Sequence, residues 1–396
     1  MTPDFDADFG LWHGPPATHE ELKLEYGVDS VITESQVGKF VKGNTVHVLE
    51  GTDLVLVKPA GEIRTDLLKT AITESRVLKT KTELALLQRV CKISSQAHMN
   101  LMKSAVSKFK TERDLEALFA FDTGMLGGMG QAYTPIIATH TNGAILHYNS
   151  NDADIVIESC VLVDAGCELY CYGTRDFFFL SLRPLLTGIS KHPAASDITR
   201  TWPRNGKFNS YWKTVYEIVL QANKAVIAAL KPEVEWETMH RLSARIIGEG
   251  LIKAKLVIGT IEDILEKHIV ALFYPHGLGH SLGLDVHDCG GYPAGVERIQ
   301  EPGIRYLRMR RTLKEGMVVT VEPGLYFVEG ILRPAFTDAA QSKLLNIPLI
   351  EEYMTNVGGV RIEDDVYISK TGCSVLSSSC PKELADVESI CMSGQK

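Results

Sequence analysis

Three histidines lie close together in a glycine-rich stretch of the chain. His276, His280 and His287 fall within the twelve residues HGLGHSLGLDVH. Imidazole nitrogens bind metal ions and carry protons near neutral pH, and glycine lets a backbone approach a bound ligand closely. A single histidine is more often a hydrogen-bonded structural residue, but three in one such stretch favour a functional site. The pattern alone leaves open which histidine binds what.

Carboxylates end two strand-like segments farther along the chain. Glu322 follows the apolar run VVTV and precedes a Pro-Gly turn. In GVRIE, the two-residue period of a strand places Arg361 and Glu363 on one face, with Val360 and Ile362 on the other. An edge strand with a solvated charged face would explain either segment, so neither indicates a site by itself.

Two aspartates complete a candidate set of ligands, although each alone could simply begin a turn. Four carboxylates buried without counter-charge would repel one another at large cost, whereas two divalent cations would balance their charge. Oxygen-rich ligation with a single nitrogen suits Mn²⁺ or another hard-to-borderline ion. Two such ions can activate water and polarise a carbonyl, so the set predicts hydrolytic chemistry. The candidate metal ligands are Asp164, Asp197, His280, Glu322 and Glu363.

A mixture of helices and strands must position these residues. The T-x-x-E spacing from Thr80 to Glu83 is a capping box and predicts a long helix after it. Further helices are predicted over 111–121, 210–230 and 236–252, and strands in CVLVDAG, MVVTVEPGLYF and GVRIEDDVYIS. Helices and strands do not alternate regularly, which favours the α+β class. Before an expected domain boundary near residue 75, TVHVLE and DLVLVKP read as short strands.

The overall composition excludes several classes of protein. The 396 residues are 45% hydrophobic and carry a net charge of −8, which argues against nucleic acid or an anionic membrane as the main partner. The acidic N-terminal segment lacks the apolar region of a signal peptide. No uncharged apolar run approaches the roughly 20 residues of a membrane helix. The eight cysteines form no CxxC pair, so reduced thiols in a cytoplasmic protein are expected.

At these motifs the chain resembles the pita-bread-fold metallopeptidases and, within them, the prolidases (Xaa-Pro dipeptidases). The resemblance is carried by AILHY, LVDAGCELYCYG, SDITRTWPRNGKF, the run from PHGLGHSLGLDVHDCGGYPAGVERIQEPG through VEPGLYF, and GGVRIEDD. It covers residues 75–396 well and 10–75 loosely. It implies a pita-bread catalytic domain with a dinuclear metal site.

The resemblance implies a role for each matching position. Asp164 resembles an aspartate that chelates one ion, and Asp197 resembles one that bridges both. His280 matches the family's single imidazole ligand, and Glu322 and Glu363 match its two glutamates.

Further positions match residues that handle substrate. Glu322 would also shuttle a proton, and His147 and His287 would touch the substrate and stabilise the developing oxyanion. Arg308 would grip the terminal carboxylate of a dipeptide with its planar guanidinium. Tyr133 and Arg361, the latter as a partner of the site, complete the predicted substrate-binding set, and His276 is expected beside the ligands.

The implied activity is hydrolysis of Xaa-Pro dipeptides that end in proline. A hydroxide bridging two divalent ions, expected to be Mn²⁺, would attack the carbonyl before the proline. An Xaa-Pro aminopeptidase acting on longer peptides is an alternative, although a carboxylate clamp at Arg308 disfavours it. A non-catalytic relative that binds a peptide or protein is a second alternative. No nucleic-acid or membrane partner is expected.

The N-terminal region departs from the family pattern. Family members carry a full creatinase-like N-terminal domain, whereas only about 75 residues precede the catalytic part here. We therefore predict a partial N-terminal α/β domain over 1–75 and a catalytic domain over 76–396. The missing part contributes to dimer contacts in prolidases, so both a homodimer and a monomer stay open.

The spacing of the two aspartates is the second departure. They lie eleven residues apart on a hairpin in the family but thirty-three apart here, and an atypical insertion at about 174–195 accounts for the difference. Retained intron sequence is the explanation we favour. A tolerated loop is another, although its ends would fall within the second hairpin strand. The third, replacement of Asp197 by Asp176, would turn the side chain to the other strand face.

Overall fold

The computed structural model describes residue 2 and residues 11–12, 14–104, 109–169 and 194–394. Two compact units divide the chain, one ending at Arg76 and the other beginning at Val77. Within the described ranges, no helix has the length and apolar character needed to cross a membrane. The seven cysteines described are free thiols, and Cys171 lies outside the described residues.

The first unit contains short helices and one pair of parallel strands. TVHVLE does contain a strand, but the prediction of a strand in DLVLVKP is wrong, because Val55–Val57 forms a 3-10 turn. The Asp53 carboxylate accepts a hydrogen bond from the amide of Val55 (3.0 Å), and this local bond competes with an extended backbone. The elements are α1 (His19–Tyr26), α2 (Val37–Val41), β1 (Thr45–His47), β2 (Glu62–Arg64) and α3 (Leu68–Val77).

The long helices of the second unit begin where the sequence predicts. Thr80 and Glu83 form the expected capping box: the Glu83 amide donates to the Thr80 hydroxyl (3.2 Å), and the Thr80 amide donates to the Glu83 carboxylate (2.7 Å). The Asn209 side chain caps another helix by accepting from the amide of Trp212. The helices are α4 (Lys81–Lys103), α5 (Glu112–Met125), α6 (Ser210–Ala229), α7 (Trp236–Lys253), α8 (Ile261–Glu266), α9 (Glu329–Thr337), α10 (Ile347–Asn356) and α11 (Leu384–Ser393).

The strands of the second unit form antiparallel ladders, and the predicted α+β class is confirmed. They form four small sheets with the strand orders β4-β5-β8, β3-β6-β7, β13-β12-β9 and β10-β11. The strands are β3 (Gly130–Gln131), β4 (Ile136–Thr139), β5 (Cys160–Asp164), β6 (Cys167–Leu169), β7 (Ala194–Ala195), β8 (Thr199–Pro203), β9 (Val318–Val321), β10 (Gly324–Tyr326), β11 (Gly359–Arg361), β12 (Asp364–Ile368) and β13 (Cys373–Val375).

One register runs through the first ladder. Asp164 lies opposite Thr199, and Glu168 lies opposite Ala195, so each strand advances four residues between the two pairs. Ala194–Ala195 therefore occupies the second hairpin strand and pairs there with Leu169 and Glu168 of the first. The expectation that the extra residues interrupt the second strand is wrong for Ala194 and Ala195, which pair with Leu169 and Glu168 and so continue that strand. Residues 174–193, including Asp176, lie outside the described residues.

A second ladder is built in the same way. Val321 of β9 lies opposite Asp364, and Gly324 of β10 lies opposite Arg361, with the pairing broken between them. Glu322 and Glu363 stand at this break. The alternation predicted for GVRIE is confirmed on its apolar face, because Val360 and Ile362 are buried in the main hydrophobic core.

Candidate metal centre

Strand pairing is broken between β5/β8 and β6/β7 in the first ladder and between β9/β12 and β10/β11 in the second, and these breaks bring the predicted ligands together. Backbone bonds join the ladders directly, because the amide of Glu363 donates to the carbonyl of Thr199 at 3.0 Å. Ligand atoms in three overlapping groups lie within 4.8 Å of one another. The groups are Asp164, Asp197 and Glu363; His280, Glu322 and Glu363; and Asp197, His280 and His287. Asp164 and Asp197, which are thirty-three residues apart in sequence, therefore lie close together in space.

His280 is held beside β9 by backbone pairing. Its carbonyl accepts from the amide of Thr320 (2.9 Å), and its amide donates to the Thr320 hydroxyl (3.1 Å). Gly279 is required for this approach, because a Cβ there would lie 2.1 Å from the Thr320 carbonyl oxygen. The glycine-rich character of the stretch thus has a steric cause.

The imidazole of His280 is oriented for a cation. Its Nδ1 lies 3.0 Å from the Ser281 carbonyl oxygen and so must carry the proton of that bond. Its Nε2 then faces two acceptors, Asp197 Oδ2 at 3.3 Å and Glu322 Oε1 at 3.7 Å. Burial alone would lower the pKa of His280, but these carboxylates raise it. An acceptor nitrogen facing acceptor oxygens calls for a proton or a metal ion between them.

The carboxylates show the same need for positive charge. Burial raises the pKa of Glu322 to about 7. Burial, and then the neighbouring carboxylates of Asp197 and Glu322, raise the pKa of Glu363 well above its usual range. The donor set of four carboxylates and one imidazole therefore fits divalent cations, which would replace the protons that the cluster otherwise retains.

A chain of hydrogen bonds leads away from Asp164. Arg361 Nη2 donates to Asp164 Oδ2 (2.6 Å), and Nη1 of the same guanidinium donates to the Tyr326 hydroxyl (2.9 Å). That hydroxyl lies 3.0 Å from His276 Nε2, and His276 Nδ1 lies 2.8 Å from the Gly277 carbonyl oxygen. Burial and Arg361 lower the pKa of His276 to about 3, so this imidazole is neutral. His276 thus lies beside the ligands, bonded to residues that orient them.

Tyr133 and Thr199 each bond a candidate ligand. The Tyr133 hydroxyl donates to Asp164 Oδ1 at 2.6 Å, and Tyr133 is not among the described residues that line the cavity. The sequence predicts a substrate contact for it. The Thr199 hydroxyl donates to Glu363 Oε2 at 2.6 Å and accepts from Arg361 Nε at 3.1 Å.

The cluster opens into a cavity of about 700 Å³. His147, His287 and Arg308 lie on its wall with the candidate ligands and Arg361. The ring of His287 stands perpendicular to that of His280, with centroids 4.3 Å apart. Arg308 is exposed to the cavity and comes from the 3-10 turn and extended segment after Gly303.

Sequence reasoning missed Thr199, Tyr326 and Asp365. Asp365 Oδ2 accepts from the amide of Asp197 at 3.0 Å and so holds that ligand's backbone. A two-residue period would have indicated all three, because Thr199 follows Asp197 by two residues, Tyr326 follows Glu322 by four and Asp365 follows Glu363 by two.

Comparisons with known proteins identify the family to which this chain is related. The profile of metallopeptidase family M24 matches residues 85–178 and 185–370. The Xaa-Pro dipeptidase of Homo sapiens is 38% identical over 412 aligned residues, which span 100% of this chain and 78% of the human protein. A probable Xaa-Pro aminopeptidase of Paracoccidioides brasiliensis is 36% identical, over 98% of this chain and 80% of that protein.

Solved structures of aminopeptidase P resemble the chain over its whole length. The Pseudomonas aeruginosa enzyme has a TM-score of 0.79 at 28% identity, covering 100% of this chain and 82% of its own. An Escherichia coli aminopeptidase P variant in complex with substrate has a TM-score of 0.79 at 26% identity, with the same coverage. The predicted pita-bread fold is confirmed. The chain therefore belongs to metallopeptidase family M24 and is a metal-dependent peptidase with the fold of the aminopeptidases P.

Proposed function

We propose that this chain is a dinuclear-metal dipeptidase that hydrolyses Xaa-Pro dipeptides ending in proline. One observation carries the proposal: four carboxylates and an imidazole with its Nε2 turned toward them converge on a cavity that also contains Arg308. The cavity has the size of a small-molecule site. Its human relative is named Xaa-Pro dipeptidase.

Two divalent ions, with Mn²⁺ as the expected metal, match the charge of the four carboxylates. The residues that would hold them are Asp164, Asp197, His280, Glu322 and Glu363. When bound, the ions would supply Lewis acidity that polarises the scissile carbonyl and lowers the pKa of water. A nearly all-oxygen donor set favours Mn²⁺ over ions that prefer thiolates.

The residues around the cluster would bind the dipeptide and move its proton. Arg308 offers a planar pair of donors to the terminal carboxylate, and His147 and His287 can hydrogen-bond the oxygen that gains charge. Glu322 is more exposed to the cavity than its neighbours, with 19% of its side chain exposed against 13% for Asp164. This greater exposure supports a role for Glu322 in carrying a proton to the leaving proline nitrogen.

A specific observation favours the Xaa-Pro aminopeptidase as the second candidate. A neighbouring groove of about 930 Å³ shares Leu146 and Ile331 with the metal cavity. A peptide longer than two residues could extend into this groove. The free guanidinium of Arg308 argues for the dipeptidase, because a carboxylate bound there ends the substrate.

Hydrolysis of three related substrates separates the candidates. The chain is stripped with EDTA, reloaded with Mn²⁺ and assayed on Gly-Pro, Gly-Pro amide and Gly-Pro-Gly. A dipeptidase cleaves Gly-Pro with the highest kcat/KM, and Arg308→Met removes that preference. Arg245→Met, at an exposed arginine outside the metal cavity, is the matched control.

Other outcomes would reject the proposal in distinct ways. Faster cleavage of Gly-Pro-Gly than of Gly-Pro would assign an aminopeptidase. Failure to bind Mn²⁺ and to cleave any of the three substrates would favour the non-catalytic relative. His280→Ala should lower kcat/KM by on the order of 100-fold or more, because even residues that only support metal ligands contribute 10- to 100-fold.

A further inference from the structure

The backbone just before Arg308 is held by two side chains of a neighbouring loop. The hydroxyl of Tyr292 donates to the Leu307 carbonyl oxygen at 2.6 Å. Arg298 Nη1 donates to the same oxygen at 2.6 Å, and it also approaches the Arg305 carbonyl oxygen at 3.4 Å. One carbonyl thus accepts two short hydrogen bonds, one of them from a charged donor.

Arg298 and Tyr292 also hold each other. The guanidinium carbon of Arg298 lies 4.7 Å from the centroid of the Tyr292 ring, within the range of a cation–π contact. Although Arg298 lines the cavity, its guanidinium is engaged by backbone oxygens and this ring. It is therefore poorly placed to be the group that binds substrate.

The held segment lies directly against the metal-binding loop. A Cβ on Gly277 would lie 2.7 Å from Leu307 Cα. Gly277 lies between His276 and the ligand His280 in sequence. Its close packing against Leu307 therefore fixes the position of Leu307 relative to the metal cluster. On the other side, the amide of Arg310 donates to the Gly291 carbonyl at 2.7 Å.

Arg308 itself has little else to fix it. Its guanidinium makes no hydrogen bond or ion pair with any residue in the described part of the chain. A long, exposed side chain of this kind takes its position from its backbone. When it binds a ligand, it loses conformational entropy, and this loss opposes binding. The peptide unit that sets this backbone is the one whose carbonyl Tyr292 and Arg298 hold.

We propose that Tyr292 and Arg298 are positioning residues that fix the distance between Arg308 and the metal cluster, and so set selectivity for a free terminal carboxylate. The inference rests on the proposed function. Releasing the Leu307 carbonyl lets the clamp move relative to the scissile bond. The variants should therefore weaken binding of substrates that carry the carboxylate and spare those that lack it.

Conservative variants test this with two substrates. Tyr292→Phe removes one hydroxyl and should raise KM for Gly-Pro about 3- to 10-fold, and Arg298→Met about 10- to 100-fold, with smaller changes in kcat. Cleavage of Gly-Pro amide should change less than 2-fold or so, because it has no carboxylate for the clamp. Tyr306→Phe is the matched control, since Tyr306 lines the same wall and its hydroxyl makes no bond to Leu307.

A double-variant cycle tests whether the effect passes through Arg308. In an Arg308→Met background, Tyr292→Phe should have almost no further effect on KM. Additive losses, an equal loss on Gly-Pro amide, or an unchanged KM in Tyr292→Phe with intact folding would overturn the inference. If Arg308→Met kept the preference for Gly-Pro over Gly-Pro amide, the proposed function itself would be rejected instead.

Discussion

Replacing Thr199 with valine should weaken metal binding without removing any ligand. The Thr199 side chain is fully buried. Its hydroxyl donates to Glu363 Oε2 at 2.6 Å and accepts from Arg361 Nε at 3.1 Å, so it joins a candidate ligand to the guanidinium that holds Asp164. Valine keeps the shape and leaves both groups without this partner.

The size of the effect follows from these two bonds. A hydrogen bond to a charged group contributes about 1.5–3 kcal/mol. Groups that orient metal ligands typically alter metal affinity or activity about 10- to 100-fold. We expect the Kd for Mn²⁺ of Thr199→Val to rise within that range, together with a loss in the stability of the metal-free protein.

Thr201→Val is the matched control. Thr201 is also fully buried, two residues along the same strand. Its hydroxyl donates to the Arg361 carbonyl at 3.1 Å and touches no ligand carboxylate. Both variants should lose stability in urea unfolding of the metal-free protein, but only Thr199→Val should lose affinity in calorimetric titration with Mn²⁺. Equal Mn²⁺ affinities for the two variants would refute the reasoning.

Three further predictions concern charge. Removing metal with EDTA should lower the melting temperature and Mn²⁺ should restore it, because ligand at 100 times its Kd adds about 2.7 kcal/mol; an unchanged melting curve would argue against a metal centre. Arg200→Met should cost about 3–5 kcal/mol of unfolding free energy, because it removes one buried partner of Asp364, 2.8 Å away, and leaves the buried carbonyl oxygens of Glu363 and Cys380 without its donors; Lys224→Met, which breaks an exposed pair with Glu383, should cost under about 1 kcal/mol in the same urea titration. Burial lowers the pKa of His240 from 6.5 to about 4, so its neutral form stabilises the fold above pH 6.5 and that stability, up to about 3 kcal/mol, is lost as pH falls toward 4. His240→Phe should flatten this loss, and an unaltered slope in stability against pH would contradict the assignment.

Local patterns predicted much of the fold. The capping box at Thr80 and the cap at Asn209 mark helix starts because their side chains bond the nearest free amides. DLVLVKP misled for the same kind of reason, since the bond from the Val55 amide to Asp53 is also local and outweighs the strand propensity of its valines. Such contacts span only a few residues, and the sequence therefore displays them directly.

The inserted segment shows a limit of prediction from local sequence. From the spacing alone, residues 174–195 seemed to split the strand that carries Asp197. The structure instead pairs Ala195 with Glu168 in the register that also pairs Thr199 with Asp164. Strand pairing depends on backbone hydrogen bonds and burial rather than on matching side chains, so two alanines can extend this strand.

The sequence by itself determined the chemical identity of the candidate site: which carboxylates and which imidazole could be ligands, and that their charge calls for cations. Only the tertiary structure decided that Asp164 and Asp197 meet, that His280 turns Nε2 toward Asp197 and Glu322, and that Thr199 and Arg361 join the two ladders. Donor type is a property of each residue. Distance and orientation come from backbone pairing between segments far apart in the chain, which no local pattern records.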